Sequence, residues 1–239
     1  MTKIALHGFT QSPEQWRGIF DGEIVAPWLP GHGPSADLSA RSFDDAARSI
    51  LELARSATDA PLLVGYSMGA RLALSALARE PSLFKRAILI GVQPGLEEPE
   101  ARAERRRWER KWIDMLEREG LESFLSAWEK LPLFGDQNDG PQAQAQAARR
   151  RSHTARGLAH ALGVLGLADM PNHWGELSKI PCPVELVVGE KDEKFRALAE
   201  RALPRFPRAR LHVIPGAGHN PLEDQPDETR ALLRQLADS

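Results

Sequence analysis

Gly65-Tyr66-Ser67-Met68-Gly69 follows the apolar run Pro61-Leu62-Leu63-Val64 and leads directly into Ala70-Arg71-Leu72-Ala73-Leu74-Ser75-Ala76-Leu77. A short buried strand, a sharp turn and a helix is the setting in which a G-x-S-x-G sequence acquires meaning. The turn forces the serine into a strained conformation, and side chains in place of the flanking glycines would strike neighbouring backbone. The serine oxygen is left exposed beside the free N–H groups of a helix N-terminus. Ser67 is therefore read as a nucleophile on an elbow rather than as an ordinary turn residue.

Outward from this elbow, short apolar runs alternate with helical patterns. The runs are Ile4-Ala5-Leu6, Ile24-Val25-Ala26, Leu62-Leu63-Val64, Ala87-Ile88-Leu89-Ile90, Val184-Glu185-Leu186-Val187-Val188 and Leu211-His212-Val213-Ile214. Near-continuous hydrophobicity implies strands covered on both faces, hence an α/β fold with a mainly parallel sheet flanked by helices. Helices are expected at about 43–57, 68–79, 194–204 and 226–237. Between Gly95 and Ile180 the rhythm breaks into helical segments rich in Arg, Glu, Ala and Trp. Residues 1–96 and 179–239 are thus expected to form the core. Residues 97–178 are expected to form an inserted helical lid over the C-terminal edge of the sheet, where ligands bind in open α/β folds.

Composition narrows the function. A chain of 239 residues with formal net charge −2 offers no electrostatic case for nucleic acid or an anionic membrane surface. Cys182 is the single cysteine, read as an inert buried hydrophobe. No apolar run approaches membrane-spanning length, and Met1-Thr2-Lys3 enters a strand at once, so a soluble cytoplasmic protein is expected. No metal-ligand or cofactor motif is apparent, and none is expected.

Two further strand ends complete a catalytic set. Gly189-Glu190-Lys191-Asp192 follows the run at 184–188, and Gly216-Ala217-Gly218-His219-Asn220 follows the last strand. Asp192 would orient His219, and His219 would swing back over Ser67; the order Ser, Asp, His is the one this sheet topology requires. Asp192 also reads as a cap of the helix starting near Lys194, with Glu190 or Glu193 open as the acid. The loop Leu6-His7-Gly8-Phe9-Thr10 brings a backbone N–H to the site, so the N–H groups of Phe9 and Met68 are the expected oxyanion hole. His7, His32, His153, His160, His173 and His212 are read as structural or exposed.

HGFT, LPGHG, GYSMG, GEKD and AGHN resemble the α/β-hydrolase superfamily over the whole chain. GYSMGAR, QPGL followed by RAER, the SAW ending in Trp128, ARRRS, GEKDEKFRALA and VIPGAGHN are similar to the bacterial 2-succinyl-6-hydroxy-2,4-cyclohexadiene-1-carboxylate synthases of menaquinone biosynthesis. That resemblance implies an α/β-hydrolase fold, no cofactor, and a lyase that eliminates pyruvate from a small, carboxylate-rich substrate. Periodicity alone leaves Arg105 two partners: Glu109 or a substrate carboxylate. Arg71, one helical turn after Ser67, faces the same side. By resemblance Arg71, Arg105 and Arg151 bind substrate carboxylates, with Arg149 or Arg150 open as the third. Tyr66 and Trp128 match pocket residues, although packing alone would make Trp128 part of the insertion's core. Trp28 stands where the superfamily has Asp, and Gln93 where related sequences have His. The rival chemistry for the same triad is hydrolysis of a carboxylic ester or a C–C bond through an acyl-serine.

Overall fold

A computed structural model describes residues 1–34, 36–131 and 141–238. Six parallel strands form one sheet: β1 (Lys3–Leu6), β2 (Ile24–Val25), β3 (Leu62–Tyr66), β4 (Arg86–Ile90), β5 (Val184–Gly189) and β6 (Ala209–Ile214), in spatial order β2-β1-β3-β4-β5-β6. All six expected strands are present. β3 pairs with β1 from Lys3↔Leu62 to Leu6↔Gly65, and with β4 from Leu62↔Arg86 to Tyr66↔Ile90. The ends of β1, β3 and β4 therefore lie side by side.

The continuous apolar runs arise because each strand feeds two cores. Ile4, Leu6, Leu63, Ala87, Leu89, Val184, Leu186 and Val188 point into one cluster, beneath α1 (Phe43–Ser56), α2 (Met68–Arg79) and α6 (Glu193–Ala202). The alternate residues Ala5, Leu62, Val64, Ile88, Ile90 and Val187 point to the other face, against Trp16, Phe20 and Leu233 and Leu236 of α7 (Pro226–Asp238). With a side-chain period of two and both faces covered, the central strands are apolar at nearly every position; buried Glu185 of β5 is an exception, 2.8 Å from His212 Nε2 of β6. The edge strand β6 differs: its burial is interrupted, with Val213 39% exposed.

Between β4 and β5 the described residues contain no strand. They form α3 (Pro99–Trp128), α4 (Pro141–Arg151) and α5 (Ala155–Leu165). α3 is broken at Gly120, whose φ of 83° and ψ of −176° are open to glycine and costly for other residues. Trp112, Leu116, Phe124, Leu125 and Trp128 of α3 pack with Leu158 and Leu162 of α5 as a separate cluster. Phe9 joins it to the main core, its ring 5.2 Å from that of Trp128. Within the expected insertion, Val164, Leu165, Leu167, Met170, Trp174 and Leu177 pack in the same apolar cluster as the strands. Buried Glu109 of α3 ties the two regions together by accepting the N–H groups of Leu167 (2.7 Å) and Ala168 (3.2 Å).

The close approach of α2 to β1 depends on Gly69, where a Cβ would lie 2.2 Å from the Leu6 carbonyl oxygen. Gly69→Ala should destabilise the chain by about 1–3 kcal/mol or more, as overpacking of a rigid contact does. The melting temperature should fall by roughly 2–4 °C per kcal/mol in a chain of this size. An unchanged melting temperature would show that the backbone around Leu6 yields.

Candidate active site

Ser67 occupies the junction of β3 and α2 with φ 50° and ψ −107°. A non-glycine residue pays a penalty of order 1–3 kcal/mol for such a conformation and keeps it only when its surroundings enforce it. Here they do. A Cβ at Gly65 would lie 2.5 Å from the Gly69 carbonyl oxygen, and Ser67 N–H is held by the Ile90 carbonyl at 2.8 Å. Ser67 Oγ lies 2.9 Å from His219 Nε2, and His219 Nδ1 lies 2.6 Å from Asp192 Oδ2.

Asp192 fills both roles left open by the sequence. Its Oδ2 meets His219 while Oδ1 accepts the Phe195 N–H at 3.4 Å as the cap of α6. Glu190 instead accepts the Gly216 N–H at 2.8 Å and so steadies the loop that carries His219. That loop comes close because Gly189 has no side chain, its Cβ position being 2.0 Å from the Gly218 carbonyl oxygen. Gly91, at φ 60°, leaves room for the imidazole, since a Cβ there would sit 3.0 Å from His219 Cε1. On the other side, the turn after β1 is closed by Gln11 N–H on the Gly8 carbonyl (3.1 Å), with Thr10 at φ 62°. Thr10 and Ser67 are the two non-glycine residues with positive φ among the described residues, and both flank the proposed oxyanion positions Phe9 and Met68.

These elements open into a cavity of about 320 Å³ lined by Ser67, His219, Phe9, Met68, Gly91 and Gln93, by Arg71, Arg105 and Lys194, and by an apolar wall that includes Trp108, Trp128, Leu162 and Phe195. Arg71 is buried, donates Nη1 to the Leu165 carbonyl at 2.9 Å, and has its pKa brought down to about 10 by burial and then by Arg105. It stays charged at neutral pH. Arg105 donates Nε to Glu109 at 2.7 Å and lies 4.2 Å from the centre of the Trp108 ring. Its structural partner and its place in the cavity thus coexist. Trp128 lines the cavity while packing in the insertion's core.

Two expected pocket residues lie elsewhere. Arg151 is exposed, 3.3 Å from Glu122; Arg149 pairs with Glu223 (2.6 Å) and Arg150 with Glu129 (3.1 Å), and none of the three lines the cavity. Successive residues on a helix diverge by about 100°, so adjacent arginines find separate acids. Tyr66 is buried on the opposite face of β3 from Leu63, its ring 5.6 Å from that of His219, and supports the imidazole from behind the cavity. Lys194 and Phe195 were not singled out from sequence. The available signal was a lysine in the first turn of a helix, against the dipole. Among the described residues no three His, Cys, Asp or Glu side chains converge as a metal site, and no helix is long and apolar enough to cross a membrane.

The family described as "Alpha/beta hydrolase family" matches residues 4–232. This chain belongs to the alpha/beta hydrolase family. A 2-succinyl-6-hydroxy-2,4-cyclohexadiene-1-carboxylate synthase of Escherichia coli O1:K1 is 35% identical over 240 residues, covering 98% of this chain and 92% of the relative. Among solved structures, MenH from S. aureus superposes with a TM-score of 0.89 at 28% identity, covering 100% of this chain and 95% of the other. A thermophilic esterase from Thermogutta terrifontis superposes with a TM-score of 0.81 at 22% identity, covering 100% and 89%, and shares the fold.

Behind the turn after β1, this α/β hydrolase buries three histidines. His7 and His32 rings lie 4.8 Å apart, and His32 and His153 rings 5.4 Å apart. His7 Nε2 accepts the Leu29 N–H (3.1 Å) and His153 Nδ1 accepts the Gly33 N–H (2.9 Å), which requires both nitrogens to be unprotonated. Burial lowers the His7 pKa to about 4, lowers His32 well below the ordinary value, and lowers His153. The unfolded chain therefore binds protons first, below its ordinary histidine pKa of about 6.5. Stability should be full above that pH and fall as pH drops toward 4, by on the order of 3 kcal/mol from His7 alone. Thermal melts at about pH 7 and about pH 5 should show this loss, and His153→Gln should lessen it by the share of His153 while leaving that of His7. A melting temperature independent of pH across that interval would contradict it.

Proposed function

We propose that this chain is a 2-succinyl-6-hydroxy-2,4-cyclohexadiene-1-carboxylate synthase, a cytoplasmic lyase of menaquinone biosynthesis. It eliminates pyruvate from 2-succinyl-5-enolpyruvyl-6-hydroxy-3-cyclohexene-1-carboxylate. The observation that carries the reading is near-full-length similarity to relatives of that name, joined to a Ser67 cavity lined by Arg71 and Arg105. The substrate bears a ring, a succinyl and an enolpyruvyl carboxylate. A cavity for neutral esters has no use for several cations in its wall.

In this reading His219, oriented by Asp192, accepts the Ser67 hydroxyl proton as Ser67 Oγ takes a proton from the substrate ring. The electron pair released forms the new ring double bond, and the C–O bond to the enolpyruvyl group breaks. The departing enolate takes up a proton to become pyruvate. Negative charge that develops on oxygen during proton removal is received by the N–H groups of Phe9 and Met68. No acyl-enzyme forms. The 2.9 Å and 2.6 Å contacts of His219 support these roles, as does the strained φ of Ser67. Arg71 and Arg105 hold carboxylates, and Trp128 and Trp108 face the ring.

Purified protein given the enolpyruvyl substrate should release pyruvate stoichiometrically with the cyclohexadiene product, and Ser67→Ala should lose several orders of magnitude in rate. Arg71→Ala and Arg105→Ala should each cost roughly ten- to a hundredfold in kcat/KM, the worth of a hydrogen bond to a charged group. Efficient cleavage of p-nitrophenyl esters without any pyruvate release would decide instead for a hydrolase acting through an acyl-serine.

A further inference from the structure

We infer that Lys194 supplies the third cation that holds a substrate carboxylate, in the place that resemblance assigns to Arg151. This rests on the pyruvate-eliminating reading above. Lys194 lies in the first turn of α6, two residues beyond Asp192, and lines the same cavity as Ser67, Arg71 and Arg105.

The three cations of the cavity differ in what already satisfies them. Arg71 donates to the Leu165 carbonyl, and Arg105 shares its charge with Glu109. Among the described residues Lys194 forms no ion pair, and its Nζ lies 5.7 Å from the centre of the Phe195 ring. The nearby carboxylate of Asp192 is taken up by His219 and by the Phe195 N–H. None of the described residues lining the cavity is acidic.

A lysine in this position is electrostatically disfavoured by its surroundings in the protein. It stands at the positive end of the α6 dipole. Desolvation and the charge of Arg105 lower its pKa, with Asp192 acting the other way. A bound carboxylate would offset these effects, by adding an anion beside the helix N-terminus and the two cations. Lysine suits the position because its ammonium is a compact charge on a flexible four-carbon stem, adjustable to a ligand that enters from the cavity mouth. Arg105 comes from the inserted α3 and Lys194 from the core helix α6, so the substrate would be gripped from both sides.

The test is steady-state kinetics of pyruvate release by the full-length wild type, Lys194→Met and Lys194→Arg. Lys194→Met keeps the length of the stem and removes the charge. It should raise KM roughly ten- to a hundredfold, and Lys194→Arg should return KM to within a few-fold of wild type. An unchanged KM in Lys194→Met overturns the proposal while leaving the pyruvate-eliminating reading intact. So does a loss confined to kcat, which would assign the lysine to the Asp192–His219 pair. Absence of pyruvate from the wild type overturns that reading, and this proposal with it.

Discussion

Two glycines that must have no side chain determine how the site is assembled. Gly65 and Gly69 sit where the backbone of α2 crosses the ends of β3 and β1, so close that a Cβ at either would enter backbone atoms. The approach leaves Ser67 at φ 50° between them, a conformation stable only because the strand before it and the helix after it are anchored in the core. The same approach brings the Leu6 and His7 carbonyls against α2, so the turn carrying Phe9 has no freedom to move away from Met68. Strain at one residue thus sets the positions of the nucleophile and of both proposed oxyanion donors.

The charged part of the site follows a second constraint, that a cation near low-dielectric surroundings needs compensation without losing its availability to a ligand. Arg71 meets it with a neutral carbonyl, which leaves its full charge facing the cavity. Arg105 meets it with Glu109, but that carboxylate also accepts two backbone N–H groups at 167 and 168, so its negative charge is shared. Glu109 consequently joins α3 to the segment after α5 and fixes the arginine's reach. The acids of the site lie behind the cavity surface, and its described lining is cationic, aromatic and aliphatic.

His219 is held by the same economy of parts. Asp192 caps α6 and binds the imidazole with its two oxygens, Glu190 restrains the loop, and Tyr66 and Phe195 pack on the ring. Each contact comes from a residue at or just beyond the end of β3 or β5, or from the helix that follows β5. Parallel strands place all such ends along one edge of the sheet.

The sequence by itself determined what depends on local periodicity and on backbone chemistry. Nearly continuous apolar runs marked the strands buried on both faces. Glycines around Ser67 marked a turn that other residues cannot make. The order Ser67, Asp192, His219 matched strand ends that the parallel topology aligns. What only the tertiary structure decided depends on direction and distance. Adjacent Arg149, Arg150 and Arg151 are indistinguishable as text, yet each turns to a different acid away from the cavity. Tyr66 and Ser67 are neighbours in the chain, but strand alternation sends the tyrosine to the far face. An apolar residue reads the same whichever core it enters, and only the fold shows that Val164, Leu165, Leu167, Met170, Trp174 and Leu177 enter the core of the sheet. Lys194 and Arg105 are 89 positions apart in the chain, and only the fold brings both to the same cavity.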